Sequence, residues 1–255
     1  GMTLVELLVV VAIVALLLSI LFPLIEQGVS FARDAHCKSN LRNLAIAQKQ
    51  YTADHGIHTF VWGSNDEGSP YEGMPYYALR WEHNLLPYTK DSPGDHFRFP
   101  SYEVNHKLMY EGVYRCPEIP ADTPDPLGGP GTKTYRMSYS MNKWLSQENS
   151  RARNINVYRH SMWNPQLVQH PAKTLLHIDS HNRPWLFWKD DFNPDEERPG
   201  QIEYRHDGHA NIVYYDGHVE EITEDEGRII SGEDPSQANH YNYEIDSRVY
   251  LIRHR

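Results

Sequence analysis

The first 25 residues of the chain are almost continuously apolar, whereas the remainder is polar. Within residues 4–25 three positions interrupt the apolar run, namely Glu6, Ser19 and Pro23. A helix of these 22 residues is about 33 Å long, which is enough to cross a hydrocarbon core of roughly 30 Å. The pattern therefore predicts a membrane-spanning segment over residues 1–25, followed by a soluble domain over residues 26–255.

Helical spacing continues past the apolar run. Small, apolar or amide side chains recur every three or four residues, at Cys37, Leu41, Leu44, Gln48 and Tyr51. This spacing places them on one face of a helix. Gly56 follows and is a natural carboxy-terminal cap. We therefore predict one long helix from about Thr3 to about His55, with its first half in lipid and its second half packed on the soluble domain.

Residues 56–200 are rich in turn-forming residues, and one apolar stretch at 173–179 (KTLLHID) predicts a buried strand. Two Asp-Gly pairs, at 207–208 and 216–217, then separate β-prone runs. Asp-Gly favours two-residue type I′ turns, because both central residues need positive φ. The pattern predicts a three-stranded antiparallel meander over about 202–223, with His206 opposite His209 and Tyr215 opposite His218. The predicted fold class is α+β: the long helix lies against an antiparallel sheet that includes the meander.

Glu6 is the exceptional residue of the apolar run. A charged side chain inside a spanning helix costs about 2.5–3.5 kcal/mol on insertion scales, so it usually has a partner or a function. Two simpler interpretations remain open: Glu6 stays hydrated at the membrane edge, or the run is a secretory signal peptide. Against the signal peptide, no A-x-A-type cleavage site follows the run.

The residues Gly1-Met2-Thr3-Leu4-Val5-Glu6-Leu7-Leu8 resemble the processing and methylation motif of type IV pilins and of the pseudopilins of type II secretion systems. The resemblance implies that a leader peptidase cuts after Gly1 and that Met2 becomes an N-methylated terminus. It also implies that Glu6 pairs with the amino terminus of a neighbouring subunit in a filament. Pro23 matches the helix-kinking proline of the family. If Gly1 instead remains from an expression tag before an initiator Met2, it is not part of the motif.

The carboxy-terminal third carries a second resemblance. His206, nine further residues and Asp216-Gly217 are similar to the H-X9-DG motif of many large bacterial pilin-like proteins. Both ends of the chain thus resemble one family, which implies a pilin-like fold. The implied location is the bacterial inner membrane, with a single pass and a soluble domain in the periplasm or in an extracellular filament. The implied partners are other filament subunits, a leader peptidase with N-methyltransferase activity, and the inner membrane.

Histidines in the meander raise the question of a metal site. His206 and His209 lie opposite each other and are candidates for half a site. His218 follows a strand of six steps, about 20 Å long, so a site of three histidines is not expected. The alternative is that the two paired histidines brace the turn and the sheet edge.

Calcium is a second candidate ligand, since some pseudopilins carry calcium in a carboxy-terminal loop. Residues 191–195 (DFNPD) resemble the opening of an EF-hand loop, but Glu196 stands at the sixth position, where that loop needs glycine. An irregular site stays open among Asp190, Asp191, Asp195 and Glu196, or around Glu224 to Glu226. The alternative is a solvated acidic loop, and no other cofactor is expected.

The chain has two cysteines, Cys37 and Cys116. In an oxidising compartment they would form one disulfide between the long helix and the middle of the chain. Two separate buried thiols are the alternative.

Composition and motifs narrow the function further. The net charge of −10 disfavours nonspecific binding to nucleic acid. The sequence has no G-x-S-x-G elbow and no Cys-x-x-Cys pair, and we do not expect an enzyme. The predicted function is a structural subunit of a type II secretion pseudopilus or type IV pilus-like filament. The alternative is a membrane-anchored periplasmic or surface module that binds glycans with its aromatic residues.

Overall fold

A computed structural model describes ten parts of the chain, namely residues 3–56, 58–59, 81–89, 112–119, 138–142, 145, 165–168, 170–180, 185–186 and 202–231. Helix α1, Leu4–His55, runs for 52 residues and confirms the predicted long helix. Thr3 caps its start, because its hydroxyl accepts from the Glu6 N–H while the Glu6 carboxylate accepts from the Thr3 N–H. Gly56 ends it with a φ of 71°, which glycine adopts at little cost.

The strands form one sheet in the order β3-β1-β2-β4-β5. They are β1 (Tyr139–Asn142), β2 (Leu175–Asp179), β3 (Trp185–Leu186), β4 (His209–Tyr214) and β5 (Val219–Thr223). Neighbouring strands in the series β1, β2, β4 and β5 are antiparallel, and the two-residue β3 joins the edge parallel to β1. The described residues also contain two short α-helices, α2 (Trp81–Leu85) and α3 (Glu224–Ser231). This arrangement confirms the α+β fold class, with a long helix on an antiparallel sheet.

The neighbours of β4 differ from those of the predicted meander. Strands β4 and β5 form the expected hairpin, but β2 pairs with the other edge of β4. Among the described residues, the segment 202–206 forms one bridge to β4, between His206 and His209, and Ile202 bridges to Ser180 instead. Every residue of β2 is buried, as expected of a strand at the centre of the sheet, whereas residues 203–205 are only half-buried.

The two Asp-Gly turns also differ from each other. Asp207 and Gly208 have φ of 54° and 81°, as the predicted type I′ turn requires. At the second turn the Tyr214 N–H donates to the His218 carbonyl, so Tyr214, rather than Tyr215, lies opposite His218. The loop therefore has three residues and places Gly217 at φ 97°, a common alternative in which a glycine in the left-handed region preserves the strand twist.

The sheet separates two apolar clusters. The cluster beneath α1 includes Leu41, Leu44, Tyr51, Trp81, Leu176 and Val213, and the cluster on the opposite face includes Leu175, Ile178, Ile202, Ala210, Ile212, Tyr214 and Ile222. Successive side chains of a strand point to opposite faces. His209 and Asn211 therefore share the face of Val213 and look toward α1.

Replacing Gly217 by alanine is expected to lower the free energy of unfolding by about 1–2 kcal/mol, because L-residues avoid positive φ. The new Cβ would also lie 3.4 Å from Lys49 Nζ. Thermal unfolding of the full chain in detergent should show a Tm lower by roughly 2–8 °C. Gly28→Ala is the matched control, because Gly28 lies in α1 with nothing within 4 Å of the added Cβ. A Gly217→Ala protein with the wild-type Tm would contradict this reading of the turn.

Candidate functional site: the exposed half of α1 and its junction with the sheet

The amino-terminal half of α1 is an exposed apolar rod. Its large apolar side chains from Leu4 to Phe31 are between 41% and 75% exposed, and the first buried residue of the helix is Cys37. A helix that is apolar on all sides is stable only where lipid or other protein covers it. By length and composition this is the one described helix able to cross a membrane.

Glu6 lies in the first turn of the rod. Its Oε2 accepts hydrogen bonds from the Thr3 N–H at 2.7 Å and from the Thr3 hydroxyl at 2.9 Å. The carboxylate therefore faces the amino-terminal end of its own helix, where unpaired N–H groups favour negative charge. Gly1 and Met2, the other residues of the predicted processing motif, lie outside the described residues.

Pro23 lies inside α1, and the helix continues through it. Because proline has no N–H, the Ser19 carbonyl one turn earlier loses its usual intrahelical donor. The Ser19 hydroxyl donates to the Leu16 carbonyl at 2.7 Å. The predicted proline position is thus a site in the rod with one backbone hydrogen bond fewer.

Cys37 and Cys116 are joined by a disulfide at the point where α1 enters the domain. Their Cα atoms are 5.3 Å apart, and both side chains are fully buried. Of the two alternatives that the sequence allows, the structure contains the disulfide. Asn40 Nδ2 donates a hydrogen bond to the Arg115 carbonyl at 2.8 Å. The helix is therefore joined to residues 115–116 by a covalent bond and by a hydrogen bond.

Polar and charged residues fill the space between α1 and the sheet beside the disulfide. We call them the polar seam: Asp34 and Lys38 of α1, Asp179 of β2, Arg205 and His206 before the first turn, His209 and Asn211 of β4, and Glu221 of β5. Arg205 Nη2 donates to the Ser180 carbonyl at 2.6 Å.

The inner part of the polar seam centres on His206, whose side chain is 1% exposed. Its Nε2 lies 3.2 Å from Asp179 Oδ2 and 3.5 Å from Cys116 Sγ. Asp179 is fully buried, and its Oδ2 also accepts from the Asn211 backbone N–H at 2.8 Å. A buried carboxylate beside Nε2 favours a proton on that nitrogen, and the other ring nitrogen, Nδ1, faces Asp34.

The outer part of the polar seam centres on Asp34. Asp34 Oδ1 accepts from Asn211 Nδ2 at 2.7 Å and lies 3.5 Å from His206 Nδ1 and 3.6 Å from His209 Nε2. Asp34 Oδ2 accepts from Lys38 Nζ at 2.6 Å, and the same ammonium donates to Glu221 Oε1. Asp34 therefore joins α1 to β4, and Lys38 extends the contact to Glu221 of β5.

The charges of this outer part support one another. Burial raises the pKa of Asp34, but hydrogen bonds from Lys38 and Asn211 and the Lys38 charge outweigh it, so the pKa lies below its usual range. Burial lowers the pKa of Lys38, but hydrogen bonds and charges from Asp34 and Glu221 raise it above its usual range. Asp34 is therefore anionic, and Lys38 cationic, at neutral pH.

The polar seam holds two groups of metal-ligating atoms. One consists of Cys37, Cys116, Asp179 and His206, and the other of Asp34, His209 and Glu221. In the first group the sulfurs are bonded to each other, so they present no thiolate. The second group keeps all of its donor atoms. The predicted half-site of His206 and His209 thus faces two residues that the sequence did not single out, Asp34 and Glu221.

The H-X9-DG motif holds α1 at both ends of β4. At one end His206 lies beside Asp34; at the other, Lys49 Nζ donates to the Asp216 carbonyl at 2.5 Å. From Asp34 to Lys49 the helix rises about 22 Å, close to the roughly 20 Å of a six-residue strand. The distance that β4 spans between His206 and Asp216-Gly217 is therefore close to the length of α1 between Asp34 and Lys49.

The calcium candidates do not form a described site. Asp190, Asp191, Asp195 and Glu196 lie outside the described residues. Glu226 instead accepts from the Thr223 N–H at 3.0 Å and its own N–H donates to the Thr223 hydroxyl at 3.2 Å, which caps the start of α3.

Comparisons of the chain with models of known protein families, with curated proteins and with solved structures find no match.

Proposed function

We propose that the chain is a membrane-anchored structural subunit of a pilin-like filament, of the kind built by type II secretion or type IV pilus systems. The observation that carries the proposal is the exposed apolar rod of α1, which extends beyond the first buried residue, Cys37. Residues 4–32, which precede the ion pair of Arg33 with Glu118 and the hydrogen bond of Asp34 with Asn211, form a rod about 43 Å long. Such a rod suits storage in lipid before assembly and packing against equivalent rods afterwards.

The proposed mechanism is physical rather than chemical. Subunits leave the membrane and bundle their rods, so that apolar side chains exchange contact with lipid for contact with neighbouring helices. Glu6 then needs a cation, because an unpaired carboxylate in an apolar bundle is costly. The methylated amine of a neighbouring Met2 would supply it. In the isolated chain Thr3 holds the Glu6 carboxylate near the end of the rod, where an adjoining terminus could reach it.

The alternative glycan-binding module needs exposed aromatic side chains. Several aromatic residues of the described part are instead in the core: Trp81, Tyr114 and Tyr139 are between 1% and 3% exposed. These side chains are unavailable to stack on a sugar.

Replacing Glu6 by alanine is expected to leave membrane insertion and folding intact but to lower filament incorporation about 100-fold or more, the effect of removing one partner of a buried ion pair. The full-length gene should be expressed in its native host. The amount of the subunit is measured separately in sheared filaments and in membranes. Mass spectrometry of the mature amino terminus should find N-methylated Met2.

Glu26→Ala is the matched control, because Glu26 is an exposed carboxylate of the same helix just past the apolar run. It should enter filaments at the wild-type level. Wild-type incorporation by Glu6→Ala, or a mature protein that stays entirely in the membrane as a monomer, would contradict the proposal.

A further inference from the structure

Three donor atoms of the outer polar seam come from three different elements and lie together. They are carboxylate oxygens of Asp34 in α1 and Glu221 in β5 and a ring nitrogen of His209 in β4, all within 4.8 Å of one another. The distance from His209 Nε2 is 3.6 Å to Asp34 Oδ1 and 3.9 Å to Glu221 Oε1. Donors bound to one zinc ion at 2.0–2.2 Å in a tetrahedron are roughly 3.3–3.6 Å apart, so small side-chain rotations suffice.

A fourth donor is buried beneath this group. His206 Nδ1 lies 3.5 Å from the same Asp34 oxygen. Neither His206 Nδ1 nor His209 Nε2, both shielded from solvent, has a hydrogen-bond partner among the described residues. Leaving such nitrogens without a hydrogen bond is costly, and a metal ion bound between them and Asp34 would engage both.

The surroundings of His206 match those of a metal ligand. Histidine ligands usually donate the N–H of the second ring nitrogen to a carboxylate, which fixes the ring and strengthens the ligand. Asp179 Oδ2, 3.2 Å from His206 Nε2, occupies this position. Asp179 is itself held by the Asn211 N–H, so the orientation of His206 is fixed from below.

We propose that this part of the polar seam is a binding site for a divalent transition-metal ion of the Zn²⁺ class, with ligands Asp34 Oδ1, His206 Nδ1, His209 Nε2 and Glu221. Two imidazoles and two carboxylates suit zinc. Calcium prefers sites made entirely of oxygen. Four protein ligands leave no open position, so the ion acts as a structural clamp between α1 and the strands β4 and β5.

Lys38 is the competing cation of the site. Its ammonium bonds Asp34 Oδ2 and Glu221 Oε1, and the two carboxylates with this lysine leave one net negative charge. On metal binding Lys38 keeps Asp34 Oδ2 and gives up Glu221. Removing the ammonium should therefore lower the stability of the metal-free protein and raise the affinity for metal. A purely structural ion pair would not produce these two opposite effects.

The test uses the full chain in detergent, purified with a tag that contains no histidine and treated with chelator. Titration with ZnCl₂ alone, followed by calorimetry, should find one tight site, and saturation should raise the Tm by roughly 5–10 °C. CoCl₂ should give the visible absorption bands of a tetrahedral ion, and CaCl₂ should change nothing. His209→Asn and Asp34→Asn should each weaken Zn²⁺ binding at least about 100-fold, whereas Lys38→Met should tighten it.

His218→Asn is the matched control, since His218 lies at the far turn of the same hairpin, and it should bind Zn²⁺ as the wild type does. Thermal unfolding without metal identifies any variant that fails to fold; Lys38→Met and Asp34→Asn then test the site from opposite directions. Equal Zn²⁺ binding by the wild type, Asp34→Asn and His209→Asn would show adventitious binding to surface histidines and overturn the proposal. So would the absence of Zn²⁺ binding by the wild type.

Discussion

Reducing the disulfide between Cys37 and Cys116 is expected to lower the free energy of unfolding by about 4 kcal/mol. The two residues are separated by 79 positions, and on the chain-entropy model a bridge of this loop size restricts the unfolded chain by about that amount. The link also joins α1 to a distant segment at the core, where both side chains are fully buried. Urea unfolding of the full chain in detergent, with and without a dithiol reductant, measures the change.

The control for this experiment is the double variant Cys37→Ala, Cys116→Ala. Its stability should resemble that of the reduced wild type and should not respond to reductant. Two free thiols in the unreduced, denatured wild type would show that the bridge is absent in solution. A reductant effect of equal size in the double variant would assign the change to some other cause.

Acidification from pH 7 to pH 5 is expected to cost about 4 kcal/mol through two buried histidines, about 2 kcal/mol from each. Burial lowers the pKa of His58 to about 4 and that of His177 to about 3. Both stay neutral in the folded protein at pH 5, whereas in the unfolded chain they take up protons below about pH 6.5. The unfolded state therefore binds more protons, so stability is full above pH 6.5 and falls as the pH approaches the folded pKa values.

His177→Phe isolates one of these contributions. The His177 ring packs 4.6 Å from that of Trp81, and neither ring nitrogen has a hydrogen-bond partner among the described residues. Phenylalanine should fit this apolar site and remove about half of the loss in stability between pH 7 and pH 5. His170→Phe, at an exposed position, should keep the wild-type pH dependence. Urea unfolding curves at pH 7 and pH 5 measure the loss for each variant. If His177→Phe lost as much stability as the wild type between these pH values, His177 would not be a source of the pH dependence.

The features that the sequence predicts correctly are encoded locally. The apolar run, the spacing from Cys37 to Tyr51 and the stop at Gly56 all lie along one helix, and α1 follows them. The strand predicted at 173–179 is likewise a local pattern, and β2 occupies its last five residues, Leu175–Asp179. Asp207-Gly208 forms the type I′ turn that an Asp-Gly pair favours.

The features that were missed depend on pairing between distant segments. Asp-Gly suits both two-residue and three-residue hairpin loops, so the residues alone could not place Tyr214 opposite His218. The choice of β2 as the neighbour of β4 depends on burial of both strands. The contact of Asp34 with His206 depends on the position of α1 along the sheet, and no local sequence pattern determines that position. A carboxylate four residues before Lys38 suggests only a helical ion pair.

The place where the rod enters the domain has a mechanical consequence. Cys37 is the first residue of α1 to be buried, and it carries the disulfide. Tension along the helix axis therefore reaches the disulfide directly after the contacts of Asp34 and before the hydrogen bonds of Asn40 and Lys49. A force applied to the rod is therefore transmitted to the domain through the disulfide, and the hydrogen bonds that follow Cys37 along α1 are not loaded first.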